Sequence, residues 1–250
     1  MKPRHYLPIA LLSAILTACG GGNNTKTTGN ANSEAQADAK PQTSTEQPAA
    51  QQPAKKTLPF LTQDLRMYNF FGKVKTFKTI ETITDANQKP QEDPSEDWFT
   101  LEYDADGHFV KNVSIWAEKT NIKSKDGDKI TKTETPIADF GDEPVIVEYE
   151  YDSNGLVKTT KVQGIEGKSS TEYTYNDDGE LVKEVEKASG EGSVSVTERT
   201  YTIIDRDANK NWTKRFVKTT FKEGDDDGSG KFGPEETSYM LQTRTITYWE

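Results

Sequence analysis

A short turn sequence recurs along the chain and limits what the chain can fold into. It reads Tyr, then Asp or Asn, two variable residues, Gly, one variable residue and an apolar residue, with its glycines at Gly107, Gly155 and Gly179. The last two glycines are 24 residues apart and the first two are 48 apart, twice that spacing. A looser copy without glycine spans 205–215. A fixed period of this size indicates a repeated supersecondary unit, and Asp-Gly or Asn-Gly accepts the positive φ of tight hairpin turns.

The segments between the turns alternate with a period of two and are rich in Thr, Tyr and Val, as seen at 145–152, 171–175, 181–187 and 199–203. This pattern is typical of half-exposed antiparallel strands. Acidic residues there alternate with lysine, so we expect them on solvated faces. The best helical segment is a short one near 61–71. The predicted fold class is therefore all-β: an antiparallel β-meander of repeated hairpins that forms a curved sheet or an open barrel-like shell.

The repeated Tyr-Asp-x-x-Gly-x-Leu pattern resembles the YD repeats of RHS-type proteins, and more closely small bacterial lipoproteins that carry a few such repeats. The segments 70–76 and 211–215 fit that group, and the resemblance covers about residues 65–250. It implies a β-meander shell and no particular activity. Large RHS proteins use many more repeats to enclose a toxin, and this chain has too few to enclose anything large.

The N-terminus has the pattern of a secretory signal. Residues 1–18 combine Lys2 and Arg4 with an apolar run over 7–16 that is short for a membrane-spanning helix. At the end of this signal, Leu16-Thr17-Ala18-Cys19 resembles the lipobox of bacterial lipoproteins. This resemblance implies cleavage before Cys19, diacylation of its thiol and acylation of the new amine. By the same resemblance, Gly20 in place of aspartate favours the outer membrane over the inner one.

Residues 19–56 form the expected lipidated cysteine and a linker with no aromatic residue. Such a composition cannot offset the entropy of ordering, so we expect a disordered tether that reaches about 35 Å. Residues 57–250 are then one β-meander domain, with 25 basic and 38 acidic residues and a net charge of −13. This charge argues against nucleic acid as a partner.

Residue counts exclude several kinds of site. Cys19 is the only cysteine, so the chain cannot form an intramolecular disulfide. After cleavage His108 is the only histidine, which excludes His/Cys zinc sites and Cys–His catalysis. A Ser-His-Asp triad would have to use His108, which lies in one of the repeated turns. The sequence assigns no catalytic residue.

One acidic segment has the ligand spacing of an EF-hand loop. Counted from Asp225 as position 1, the oxygen ligands fall on Asp225, Asp227, Ser229, the carbonyl of Lys231, and Glu236. The flanking residues alternate like strands, so neither helix of that motif is expected. A calcium loop and an ordinary acidic hairpin both remain open, and no other cofactor is predicted.

Two functions remain in view. The first is a non-catalytic lipoprotein at the outer membrane, on either its periplasmic or its outer surface, that binds an envelope protein, a glycan or a host factor through its sheet or loops. Exposed aromatics such as Trp98, Trp116 or Trp249 are candidate contacts. The alternative is a carboxylate-based envelope or glycan hydrolase, which needs two buried, unpaired carboxylates with separated pKa values.

Overall fold

The computed structural model describes residues 60–96, 99–114, 120–136, 144–164 and 167–250. Within these ranges one short helix is followed by thirteen strands: α1 (Gln63–Met67), β1 (Val74–Thr84), β2 (Ser95–Glu96), β3 (Phe99–Tyr103), β4 (Phe109–Ser114), β5 (Asn121–Asp126), β6 (Lys129–Thr135), β7 (Val145–Tyr151), β8 (Val157–Gly164), β9 (Gly167–Tyr175), β10 (Leu181–Gly190), β11 (Ser193–Arg206), β12 (Trp212–Asp225) and β13 (Glu236–Tyr248). The predicted short helix near 61–71 is confirmed.

All thirteen strands belong to one antiparallel sheet. The order is β4-β3-β1-β13-β12-β11-β10-β9-β8-β7-β6-β5, and the short β2 pairs with β1. From β5 to β13 each strand pairs with the next along the chain, which is a meander; β1 then adds to the last strand, β13. In the part of the chain that the structure describes, β4 and β5 form no pairing with each other. The predicted all-β meander is confirmed, as a curved sheet that does not close into a barrel.

The four repeated turns share one hydrogen-bonding pattern. In the first, the Asp104 carboxylate accepts from the backbone N–H groups of Asp106 and His108, at 3.0 and 2.8 Å. Asp152, Asn176 and Asp207 do the same in the other copies. The third residue after this acceptor has positive φ: the expected positive φ of Gly155 and Gly179 is confirmed, at 78° and 79°, and Lys210 replaces glycine at 72°. These turns are longer than two-residue hairpin turns, and the ladder shifts register beside each of them.

A fifth copy of this turn was not recognised in the sequence. The Asp85 carboxylate accepts from the N–H groups of Asn87 and Lys89, at 2.8 and 2.9 Å. Gln88 occupies the glycine position with a φ of 65°. The segment contains neither the tyrosine nor the glycine of the motif. Only an Asp, with a polar residue three positions later, is left to indicate this turn in the sequence.

Residues 60–72 run across the four predicted turns. Thr62 caps α1 by accepting from the N–H of Leu65 and also donates to the carbonyl of Gly107, at 2.6 Å. The contacts to the other three turns are Gln63 to the Gly155 carbonyl at 2.7 Å, Asn69 to the Gly179 carbonyl, and a two-way pair between the Asn211 amide and the Phe71 backbone at 2.8 Å each. Six strands lie between β3 and β8 in the sheet, yet the turns that carry Gly107 and Gly155 both contact α1. The sheet therefore curves around this segment.

The hydrophobic core lies between residues 60–72 and the concave face. Leu65, Phe70 and Tyr103 are nearly fully buried in one cluster. Met67 packs with Ile130 and Val157 in a second cluster. The helix thus fills the gap between the β3–β4 hairpin and β6–β8, a position that strand pairing leaves open.

Replacing Gly155 with valine should separate the cost of disturbing the contact between α1 and this turn from the backbone cost of the turn itself. A Cβ at Gly155 would lie 2.6 Å from Arg66 Nη1 and 3.0 Å from Gln63 Oε1. Gly127 in the β5–β6 turn also has positive φ, 60°, but a Cβ there would meet nothing within 4 Å. Both variants strain the backbone by about 1–3 kcal/mol. We expect Gly155→Val to cost about 1 kcal/mol or more beyond Gly127→Val in urea unfolding, and equal losses would contradict the contact.

Candidate functional site

The concave face of β10–β13 carries a set of buried charged and amide side chains rather than a purely apolar core. Its members are Glu184, Glu186, Arg199, Arg215, Gln242 and Arg244, each at most 8 % exposed. The expectation that the acidic residues lie on solvated faces is wrong at Glu184 and Glu186. The register shift between Leu181 and Lys183 adds a residue, so the inward positions change from odd to even numbers along β10. We call these six residues the inner polar cluster.

Arg199 neutralises both carboxylates of the cluster. Its Nη1 lies 2.7 Å from Glu184 Oε1 and 3.4 Å from Glu186 Oε2. Glu184 is directly opposite Arg199 in the β10–β11 ladder. Burial raises the pKa of Glu186 and the nearby Arg199 guanidinium partly offsets this. The three side chains form one buried ion-pair group.

Arg215 has a different environment, dominated by aromatic rings. Its Cζ lies 4.1 Å from the ring centres of both Tyr201 and Trp212. Its Nε donates to Gln242 Oε1 at 2.6 Å, and Gln242 Nε2 donates to Glu81 Oε1 at 2.6 Å. Burial lowers the pKa of Arg215, although a guanidinium remains charged at any physiological pH.

Arg244 joins this aromatic group to the N-terminal segment. Its Cζ lies 3.6 Å from the Trp212 ring centre and 4.7 Å from that of Phe70. Trp212 therefore carries two guanidinium groups against its rings, from neighbouring strands β12 and β13. Stacking of this kind stabilises desolvated guanidinium groups by up to about 2 kcal/mol each.

The proposed calcium-loop residues lie at the β12–β13 turn. Asp225 ends β12, Glu236 begins β13 opposite Phe221, and the residues between them are exposed. Asp227 accepts from the backbone N–H of Ser229 at 2.8 Å, and the Ser229 hydroxyl together with this N–H lowers the pKa of Asp227. The flanks are strands, as expected. Among the described residues no group of three or more His, Cys, Asp or Glu side chains is arranged to hold a metal ion.

Calcium binding by this loop stays a prediction. If the ion binds, a thermal melt with millimolar calcium should exceed one with chelator, because binding to the folded state alone raises stability. The affinity should be weak, about 10⁻⁴–10⁻³ M, since no helices preorganise the loop. Asp227→Ala should abolish the shift. An equal shift in wild type and variant, or none in either, leaves an ordinary acidic turn.

The remaining sequence-derived candidates fall in several places. His108 is exposed, with Nδ1 3.6 Å from Asp64 Oδ2. Trp249 packs against the sheet: its Nε1 donates to the Tyr103 carbonyl at 3.0 Å and Lys75 Nζ lies 4.4 Å from its ring centre. Cys19, the signal, the linker, Trp98 and Trp116 lie outside the described residues.

Sequence alternation by itself does not predict the inner polar cluster. It puts Arg199 and Tyr201 on one strand without assigning the face of the arginine to the core. One signal is present in the sequence: Arg199 lies two residues before Tyr201, and Gln242 lies two residues after Met240. Residues two apart on a strand share a face, so these polar side chains lie on the same buried face as their apolar neighbours.

Comparison of the chain with known protein families and with curated proteins finds no match. In the described ranges no helix has the length and apolar character needed to cross a membrane.

Proposed function

We propose that this protein is a non-catalytic binding module, anchored by lipid on Cys19 to the outer membrane, that recognises an envelope protein, a glycan or a host factor. The observation that carries the non-catalytic part is Arg199. A carboxylate-based hydrolase needs one carboxyl free to donate a proton and a second free to attack or to activate water. The buried pair Glu184 and Glu186 is instead held by one guanidinium.

The convex face supports a binding role that depends on surface chemistry. Lysine and glutamate alternate there and pair across strands, for example Lys183 with Glu198 at 2.8 Å and Lys161 with Glu150 at 2.5 Å. Such exposed pairs contribute little to stability, typically about 0–1 kcal/mol, so they are free to vary for recognition. Phe60 lies beside the repeated turns, where it stacks on Phe71 at 4.6 Å.

Lipid anchoring is tested with Cys19→Ala. The variant should stay uncleaved or leave the membrane fraction, because neither acylation nor lipoprotein cleavage occurs without the thiol. The measurement is detergent-phase partition with N-terminal mass determination of the protein from cells. A variant that is still cut before residue 19 and still partitions into detergent would overturn the anchor.

The binding role is tested by crosslinking in intact cells followed by pull-down. One partner should be enriched with the wild type and lost when the convex charges are reversed, for example in Lys161→Glu/Lys183→Glu. Recovery of the same proteins with both forms would count against recognition by this face.

The hydrolase alternative has one observation in its favour, the two buried carboxylates and the raised pKa of Glu186. Glu186→Gln distinguishes the two functions. Release of sugar from envelope glycans by wild type, lost in this variant, would establish the alternative. No release by either protein agrees with the binding module.

A further inference from the structure

Arg215 is a buried cation whose donors are largely unused. Arg215 is only 3 % exposed. Of the five N–H donors of its guanidinium, only Nε–H has an acceptor among the described residues. No carboxylate of the described part of the chain lies within 4.0 Å of its nitrogens, in contrast to Arg199, which has two. Neither Nη atom is both fully buried and unpaired, so this edge keeps a small exposure at the margin of a largely desolvated group.

The surroundings fix the orientation of this guanidinium. The Tyr201 and Trp212 rings lie against it, and a stacked guanidinium can form hydrogen bonds only in its own plane. Gln242 takes the Nε edge, and Glu81 holds the Gln242 amide so that its oxygen faces Arg215. The edge formed by the two Nη atoms therefore remains, with parallel N–H donors in a rigid setting.

The charges around this edge are nearly balanced. The negative charges of Glu184 on β10 and Glu81 on β1 act on Arg215. Arg244 approaches the same Trp212 ring from β13. A bound anion would complete the hydrogen bonding of a group that is otherwise buried at a cost.

We propose that the Nη edge of Arg215 is a binding site for an oxyanion with two coplanar oxygens, a carboxylate being the best fit. Paired N–H···O bonds from guanidinium to carboxylate are short and directional, and a desolvated site strengthens them. The Tyr201 and Trp212 rings would contact the flat or apolar body attached to that carboxylate. This inference goes beyond the recognition proposed for the convex face, because it assigns a ligand class to a separate site on the concave face, and it does not depend on the lipid anchor.

The test uses residues 20–250, which lack the lipid-bearing Cys19, with ¹⁵N NMR of the arginine side chains. The probes are sodium acetate and sodium sulfate up to 50 mM, at an ionic strength held constant with sodium chloride so that general screening does not change. We expect a saturable shift of the Arg215 Nε and Nη signals with acetate and no shift of Arg199. A response to sulfate alone would overturn the carboxylate assignment, and no saturable response to either probe would overturn the site.

Two variants sharpen the result. Arg215→Lys keeps the charge but removes the paired donors, and it should weaken acetate binding at least tenfold, followed through tryptophan fluorescence. Arg199→Lys is the matched control, because it alters a buried guanidinium on the next strand that is already paired with two carboxylates, and it should leave acetate affinity within twofold. Equal affinities in both variants would contradict the role of Arg215. If the wild type binds neither probe but still captures its cellular partner in the crosslinking experiment, this site is rejected and the proposed function stands.

Discussion

Replacing Arg199 with methionine is expected to lower the free energy of unfolding at pH 8 by about 3–5 kcal/mol. The variant leaves Glu184 and Glu186 buried without their guanidinium, and each carboxylate is under 8 % exposed. Urea denaturation followed by circular dichroism measures the loss. The control is Lys183→Met on the same pair of strands, which breaks an exposed ion pair with Glu198 and should cost no more than about 1 kcal/mol.

The cost of Arg199→Met should depend on pH in a defined direction. Burial raises the pKa of Glu186, so the folded state holds the proton more tightly than the unfolded state. A raised carboxyl pKa contributes stability at low pH that is lost as the pH increases through the folded value. The variant should therefore recover part of its stability between pH 8 and pH 5. Adding Glu184→Gln and Glu186→Gln should restore stability at pH 8, and a deficit that persists unchanged would contradict the ion-pair explanation.

Truncating Leu65 to alanine is expected to destabilise the domain by about 2–5 kcal/mol. Leu65 is fully buried between α1 and the sheet, in the cluster that includes Phe70 and Tyr103. The loss follows from the cavity left at a site bounded by strands that cannot collapse into it. Thermal and urea unfolding give the magnitude.

Leu61 supplies the matched control in the same segment. It is 52 % exposed, so Leu61→Ala should change the free energy of unfolding by less than about 0.5 kcal/mol. If both truncations cost the same small amount, residues 60–72 are not part of the folded core. The two variants therefore test whether the domain begins near residue 60 or at β1.

Much of the fold was predictable because its signals are local. Asp or Asn followed three residues later by Gly sets the turn, and period-two alternation sets the strands, so the meander followed from short segments. The pairing of β1 with β13 was not predictable in this way, since no local pattern links Glu81 to Gln242 across 161 residues. The bridging role of α1 was hidden for the same reason: five residues of helix carry no mark of the turns that they contact.

The inner polar cluster shows a second limit of periodicity. Alternation assigns faces only while the register is regular, and the shift between Leu181 and Lys183 exchanges the two faces of β10. Glu184 therefore lies inside although its neighbours in sequence resemble a solvated strand. Tyr173 and Arg199, directly opposite Glu184 on either side, identify its face once the pairing is known.

The pairing of β1 with the last strand has a consequence for how the chain reaches its folded state. During synthesis, which starts at the N-terminus, strands β5 to β12 can pair one hairpin at a time, because each strand is followed directly by its neighbour in the sheet. β1 has no neighbour on that side until β13 exists, since Ile80 pairs with Thr243. Such long-range contacts slow folding, because a large loop must close before they form. The domain therefore cannot be completed until β13 has been synthesised. A chain truncated before Glu236 should accumulate as a partly ordered meander with an unpaired edge strand.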